Sequence, residues 1–151
     1  MGYSHYFTQT KDFSDDQWSK IRAVANTLLR KADLIDRSTK YDQKLFITKD
    51  AIRFNGIGDE GHETFYLKKK LQPTEWESAG NCFEKGEEYQ FCKTAYKDYD
   101  KYVVAMLCMI NYLAPDVCRI DSDGDRDEWK NGLRLARNNL CALDVVVPKG
   151  V

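Results

Sequence analysis

The chain is poor in the features that most quickly betray an activity. It has only two histidines, His5 and His62, and only three prolines in 151 residues. No apolar run approaches the roughly 18 residues that a membrane-spanning helix needs, so no membrane association is expected. The longest such stretch is Val103 to Ile110. Met1 to Thr10 lacks a basic segment followed by an apolar one, and no secretory signal is expected. Charge of one sign is also lacking. Lysine and arginine number 23 against 24 acids, a net charge of -1, so no global field draws the chain onto nucleic acid or an anionic membrane. The only basic run, Lys68-Lys69-Lys70, reads as a solvated strand end.

Five cysteines are present, Cys82, Cys92, Cys108, Cys118 and Cys141, an odd number with no C-x-x-C pair. That pattern fits reduced thiols in a cytosol and not a disulfide framework. It is also too scattered for a zinc site. The apolar share of 42% and charged share of 31% suit a folded chain, and the length suits a single domain over residues 1–151 with one core.

Periodicity supplies the elements. Gly2 to Thr8 alternates, with Tyr3, His5 and Phe7 on one side and Ser4, Tyr6 and Thr8 on the other, as in a short strand. Ser14 and Gln17 have capping-box spacing, and Phe13 and Trp18 flank them as a hydrophobic staple. Trp18, Ile21, Ala25, Leu28 and Ala32 then predict a helix from about Asp15 to Ala32. Residues 33–44 are polar and irregular. Leu45 to Ile47 and Ala51 to Asn55 read as strands around a Lys49-Asp50 turn, followed by a glycine-rich turn from Asn55 to Gly61. His62 to Lys68 and Glu88 to Thr94 read as strands, with a long loop between them, Gln72 to Gly86, that is a candidate lid or specificity loop. Asp98 to Leu113 is a helix apolar enough to be mostly buried, ended by Pro115. Val117 to Ile120 is a strand, an acidic turn leads into a helix carrying Trp129, Leu133, Ala136 and Leu140, and Val145 to Val147 is a closing strand or a tail. The expected fold is α+β in the order β-α-β-β-β-α-β-α, a mainly antiparallel sheet of about five strands covered by three helices.

Three patterns bear on chemistry. His62-Glu63-Thr64 places an imidazole and a hydroxyl on one strand face, as in phosphoesterases that use two His-x-Thr triplets as base and acid, but His5 is followed by Tyr6 and Phe7, so the second triplet is missing. A hydrogen-bonding structural histidine is the other reading, and the one favoured for His5. Lys93 and Thr94 end a strand just before a helix, where an ammonium, a hydroxyl and a helix N-terminus can meet an anion; the alternative is a lysine stem on apolar surface with a capping threonine. Asp121, Asp123 and Asp125 have calcium-loop spacing, but Arg126 stands where that loop needs glycine and Gly132 where it needs glutamate. The acids then read as a turn before a helix, or at most a weak divalent site. Cys92 could serve as a nucleophile beside His62, although nothing in the spacing fixes that geometry. No cofactor motif is present.

The strings Gly2-Tyr3-Ser4-His5-Tyr6-Phe7, Phe54-Asn55-Gly56 through Gly61-His62-Glu63-Thr64-Phe65, Phe91-Cys92-Lys93-Thr94-Ala95 with Tyr99-Asp100, and Ser122-Asp123-Gly124 with Trp129 span most of the chain. In these it resembles a group of small uncharacterised proteins of phages and bacteria. The group often has proline where this chain has Asp98. The resemblance implies a phage-type accessory protein of the host-cell cytoplasm, acting in counter-defence. Its polar positions, His5, Asn55, His62, Thr64, Lys93, Thr94 and Asp123, suggest a pocket with aromatic walls from Tyr6, Phe65 and Tyr99, in which Asn55, His62, Lys93 and Thr94 hold an anion. The expected function is therefore non-catalytic binding of a small anionic, nucleotide-like ligand. Alternatives are a protein that inhibits a host enzyme by direct contact, or a metal-independent phosphoesterase using His62.

Overall fold

In the computed structural model, residues 2–37, 43–71 and 82–151 are described, and they form an α+β fold of three helices and antiparallel sheets. Strand β1 (Ser4–Gln9) leads to α1 (Asp15–Leu29); β2 (Leu34–Asp36), β3 (Gln43–Lys44), β4 (Phe46–Ile47), β5 (Ala51–Gly56) and β6 (Phe65–Lys68) follow. Then come β7 (Phe83–Glu84), β8 (Glu87–Lys93), α2 (Asp100–Leu113), β9 (Cys118–Ser122) and α3 (Lys130–Leu140).

The expected single sheet is two sheets. The first has the order β7-β8-β1-β9; the second joins β3, β2, β5 and β4, with β6 on the other edge of β5. The division follows from strands of two or three residues at 34–36 and 43–47, too short to show periodicity in sequence and defined only by their partners, Leu34 to Gly56 and Phe46 to Arg53. The stretch 33–44, expected to be irregular, thus carries β2 and β3. The strand expected from His62 starts at Phe65, because His62 and Thr64 are drawn into a turn around Asn55. Val145 to Val147 is an irregular tail whose Val145 and Val147 are buried, and not a closing strand. Most of the candidate loop, residues 72–81, lies outside the described residues.

In the first sheet β8 and β9 both run antiparallel to β1, so they are parallel to each other, with α2 as their crossover and β1 between them. Likewise β1 and β7 both oppose β8, and the connection between them contains α1 and the whole second sheet. This is the split β-α-β plan with a sheet inserted after α1.

Alternation then decides which face is buried. His5, Phe7, Cys92 and Ile120 are buried, and Phe7 packs its ring 5.7 Å from Phe65 of the second sheet. Helix α2 lies in this core with every residue from Val103 to Ile110 buried. Its approach to α3 is close enough that a Cβ on Gly132 would come within 2.3 Å of Val104 Cγ1. Helix α1 starts as read from sequence: Ser14 Oγ accepts from Gln17 N at 3.1 Å, Gln17 Oε1 accepts from Ser14 N at 3.0 Å, and the Phe13 and Trp18 rings meet at 5.5 Å. It ends at Leu29, short of the expected Ala32.

Candidate functional site

The opposite face of the first sheet carries the second alternation set. Tyr6 of β1 faces Phe91 of β8 and Asp121 of β9 in register, and Thr8 faces Tyr89 and Arg119. On this face Tyr89 and Phe91 stay 41% and 49% exposed. The Tyr6 and Tyr89 rings are near parallel at 15° with centroids 6.1 Å apart, and Phe91 lies a further 6.1 Å from Tyr89. Tyr6 is anchored by its hydroxyl, which donates to Asp123 at 3.1 Å; slight burial and that carboxylate together raise its ionisation above the usual tyrosine range.

At the β9 edge of this face, the tail and Asn111 of α2 close a hollow of about 940 Å³ whose other walls include Tyr6, Tyr89, Arg119, Asp121 and Lys149. That size suits a small organic ligand. The wall exists because Gly150 lets the tail lie against β9; a Cβ there would meet Ile120 O at 2.0 Å. Arg119 grips Glu87 through two contacts, 2.5 and 3.3 Å, and the pair holds the Glu87 carboxyl below the usual carboxylate range. Arg119 is thus pre-positioned at the rim but shared with an acid.

The residues singled out from sequence fall in three places. Asn55, His62 and Thr64 come together: Asn55 Nδ2 donates to His62 O at 2.9 Å and Thr64 Oγ1 at 3.2 Å, and Asn55 Oδ1 accepts from Gly56 N and His62 N. The turn is tight; a Cβ on Gly56 would stand 2.0 Å from Glu60 O. Asn55 is buried while His62 is exposed. This group adjoins Lys93 and Tyr99 through Glu63, whose N–H donates to Lys93 O at 3.1 Å, whose Oε2 accepts from Lys93 N at 2.6 Å, and whose carbonyl accepts from Tyr99 Oη at 2.5 Å. The Cys92 thiol also donates to that carbonyl at 3.4 Å, and burial pushes it far up, so it is not a poised nucleophile.

Thr94 belongs to a second knot. Its hydroxyl donates to Asp100 Oδ1, which His5 Nε2 meets at 2.6 Å. Glu63 and Asp100 therefore already supply carboxylates where Lys93, Thr94 and the start of α2 were expected to meet a ligand anion. Tyr6 lies apart, in the hollow on the open face.

The His5 knot was not visible in sequence, because its members are 95 and 117 positions apart. His5 is fully buried, with Nδ1 2.8 Å from Ser122 Oγ. Ser122 Oγ accepts from Gly124 N at 2.9 Å and Trp129 Nε1 at 3.1 Å, so its own hydrogen points to His5 Nδ1 and the Nε2 hydrogen to Asp100. Tyr3 and Trp129 close on the imidazole edge-on, at 5.1 and 5.3 Å. The order serine, histidine, aspartate evokes a hydrolytic triad, but both serine lone pairs are occupied by donors, and a nucleophile needs one free. The arrangement is a satisfied internal network. It also holds the turn after β8, where Ala95 and Tyr96 take φ of +51° and +60°, costly for side chains with a Cβ. Tyr3 O accepts from both Thr94 N and Ala95 N at 3.1 Å, and the Tyr96 ring stacks on Tyr3 at 3.9 Å, which keeps the turn in place.

The acidic turn is spent on backbone. Asp123 accepts from Ser4 N at 2.9 Å, Asp125 from Glu128 N at 2.9 Å, and Asp121 from Ser122 N at 2.7 Å. Among the described residues no three His, Cys, Asp or Glu side chains group closely enough to hold a metal ion. His5 is enclosed and bonded to Asp100 and Ser122, while His62 is exposed. No helix among the described residues is long and apolar enough to cross a membrane. No family model, curated protein or solved structure matches the chain.

Proposed function

We propose that this chain is a non-catalytic binding protein for a small anionic, nucleotide-like ligand, held in the hollow on the open face of the first sheet. One observation carries the reading: Tyr6, half-buried, and Tyr89, exposed, stand near parallel on the two central strands and wall a hollow of about 940 Å³ whose rim includes Arg119 and Lys149. Aromatic faces stack a base, and a guanidinium and an ammonium take up phosphate. Ser122, with both lone pairs occupied, and the buried Cys92 thiol are not poised nucleophiles, which favours binding over turnover. The resemblance to small phage and bacterial proteins supplies the setting, sequestration of a nucleotide signal during conflict between phage and host.

Thermal shift against a panel of nucleoside mono-, di- and triphosphates tests this. Ligand at about a hundred times its Kd should raise Tm by about 5 °C or more. Tyr89→Ala should abolish the rise while leaving the unliganded Tm nearly unchanged, since Tyr89 is 41% exposed. A panel with no shift removes the reading. The exposed aromatics Phe91 and Tyr96 favour a second reading, inhibition of a host enzyme by direct contact. A stable complex from host lysate, unaffected by nucleotides, would support that one instead.

A further inference from the structure

We propose that the open face of the first sheet takes a short single-stranded nucleic acid, its successive bases stacking on Tyr6, Tyr89 and Phe91. This rests on the reading of the hollow as a nucleotide site and extends it beyond the hollow, because Phe91 lies outside the hollow's walls.

Three observations carry it. First, the platform is rigid: Tyr6 sits on β1 and Tyr89 and Phe91 on β8, the two central strands, and Tyr6 and Phe91 are direct cross-strand partners. Second, the rings form a cluster of separate platforms, Tyr6 lying across the strand pair from Phe91 and diagonal to Tyr89. Centroids step by 6.1 Å from Tyr6 to Tyr89 and 6.1 Å from Tyr89 to Phe91, well beyond the ~3.4 Å rise along one strand of a duplex. Bases on neighbouring rings must therefore be unstacked from each other, which a single strand allows and a duplex does not. Third, the charges around the rings are mixed. Arg119 and Lys149 stand beside Asp121, and Glu87 and Asp123 are near. Mixed charge weakens phosphate binding for single strand and duplex alike, so affinity has to come from stacking on the aromatic rings, which the free base faces of a single strand can make, whatever the base, and the paired bases of a duplex cannot.

The test is fluorescence anisotropy with a labelled oligouridylate and a labelled oligothymidylate of about eight nucleotides, a length within the usual site size of one such domain. A hairpin duplex of the same label is the control. Saturable binding of the single strands is expected, with the duplex at least roughly tenfold weaker. Phe91→Ala should weaken binding by about tenfold, and Phe91→Tyr should restore it. Tyr6→Phe, which keeps the ring and gives up the Asp123 bond, should bind within about twofold of the parent, and Tyr6→Ala should not. Circular dichroism confirms that the variants are folded.

No single-strand binding, equal affinity for the duplex, or indifference to Phe91→Ala overturns the proposal. So does a purified complex in which a protein covers Phe91 and excludes the oligonucleotide. If mononucleotides still shift Tm through Tyr89 while Phe91→Ala changes nothing, this inference fails and the small-ligand reading stands. If mononucleotides also fail, both are gone.

Discussion

Replacing His5 by alanine tests the internal network that holds β1, β9 and the start of α2 together. The imidazole is fully buried, 2.6 Å from Asp100 and 2.8 Å from Ser122. Its loss removes one hydrogen bond to a carboxylate, about 2 kcal/mol, and one to a neutral hydroxyl, about 1 kcal/mol. The space left between Tyr3 and Trp129 adds about 1 kcal/mol or more, so His5→Ala should cost about 4 kcal/mol in all. Ser122→Ala strands three partners, Gly124 N–H, Trp129 Nε1–H and His5 Nδ1, and should cost about 3 kcal/mol. Because the two side chains share a bond, the double variant should lose less than the sum, by about 1 to 2 kcal/mol. Urea unfolding followed by tryptophan fluorescence measures all three, with equal m-values as the check that one transition is compared. Single losses below about 1 kcal/mol, or strict additivity, would refute the network.

Three further outcomes follow from the geometry. Gly132→Ala, which in an ordinary exposed helix gains up to about 1 kcal/mol, should here cost about 1 to 3 kcal/mol in urea unfolding, because the new Cβ meets Val104 Cγ1 at 2.3 Å and Lys101 O at 3.0 Å. A colorimetric thiol assay on the native protein near neutral pH should find Cys141 reactive and Cys82 slower; Cys108 and Cys118, each pushed by burial up to about 12, and Cys92, pushed higher still, should react only on unfolding. Glu87→Gln frees Arg119 from its carboxylate and should tighten binding of an anionic ligand by about threefold or more. The Glu87 pKa is lowered in the folded state, so the pairing is complete above the ordinary carboxylate range and is lost as pH falls through the lower folded value. The gain from Glu87→Gln should therefore shrink in acid, as titration calorimetry at several pH values will show.

What sequence made legible was local. The start of α1 was readable because Ser14, Gln17, Phe13 and Trp18 satisfy one another within a single turn. Helix α2 was readable because a run as apolar as Val103 to Ile110 has nowhere to go but the interior. The strand β1 faces were readable in part: alternation put Tyr3, His5 and Phe7 opposite Ser4, Tyr6 and Thr8, and Tyr3, His5 and Phe7 are buried while Tyr6 and Thr8 are less so, but Ser4 is buried as well. What lay beyond reach was tertiary. Two sheets instead of one depend on pairings such as Leu34 with Gly56, between strands of a few residues that no pattern announces. The aromatic character of Tyr89 and Phe91 was plain on a strand, but which sheet face stays exposed is decided by what packs on the sheet and not by the strand's own residues. The polar motif residues split for the same reason. Asn55, His62 and Thr64 are neighbours through a turn seven to nine positions long, legible in principle from the glycines at 56 and 61. Thr94 instead bonds Asp100, six positions on, and that carboxylate is shared with His5 from the first strand, 95 positions away.

The central claim is that ligand is held on the open face. Amide NMR during titration with the nucleotide that gives the largest thermal shift tests it most directly. The account predicts that the perturbed signals cluster at Tyr6, Thr8, Tyr89, Arg119 and Lys149, the walls of one hollow and its sheet floor. A cluster at His62, Lys93 and Thr94, with the β1 and β8 outer positions unmoved, would contradict it.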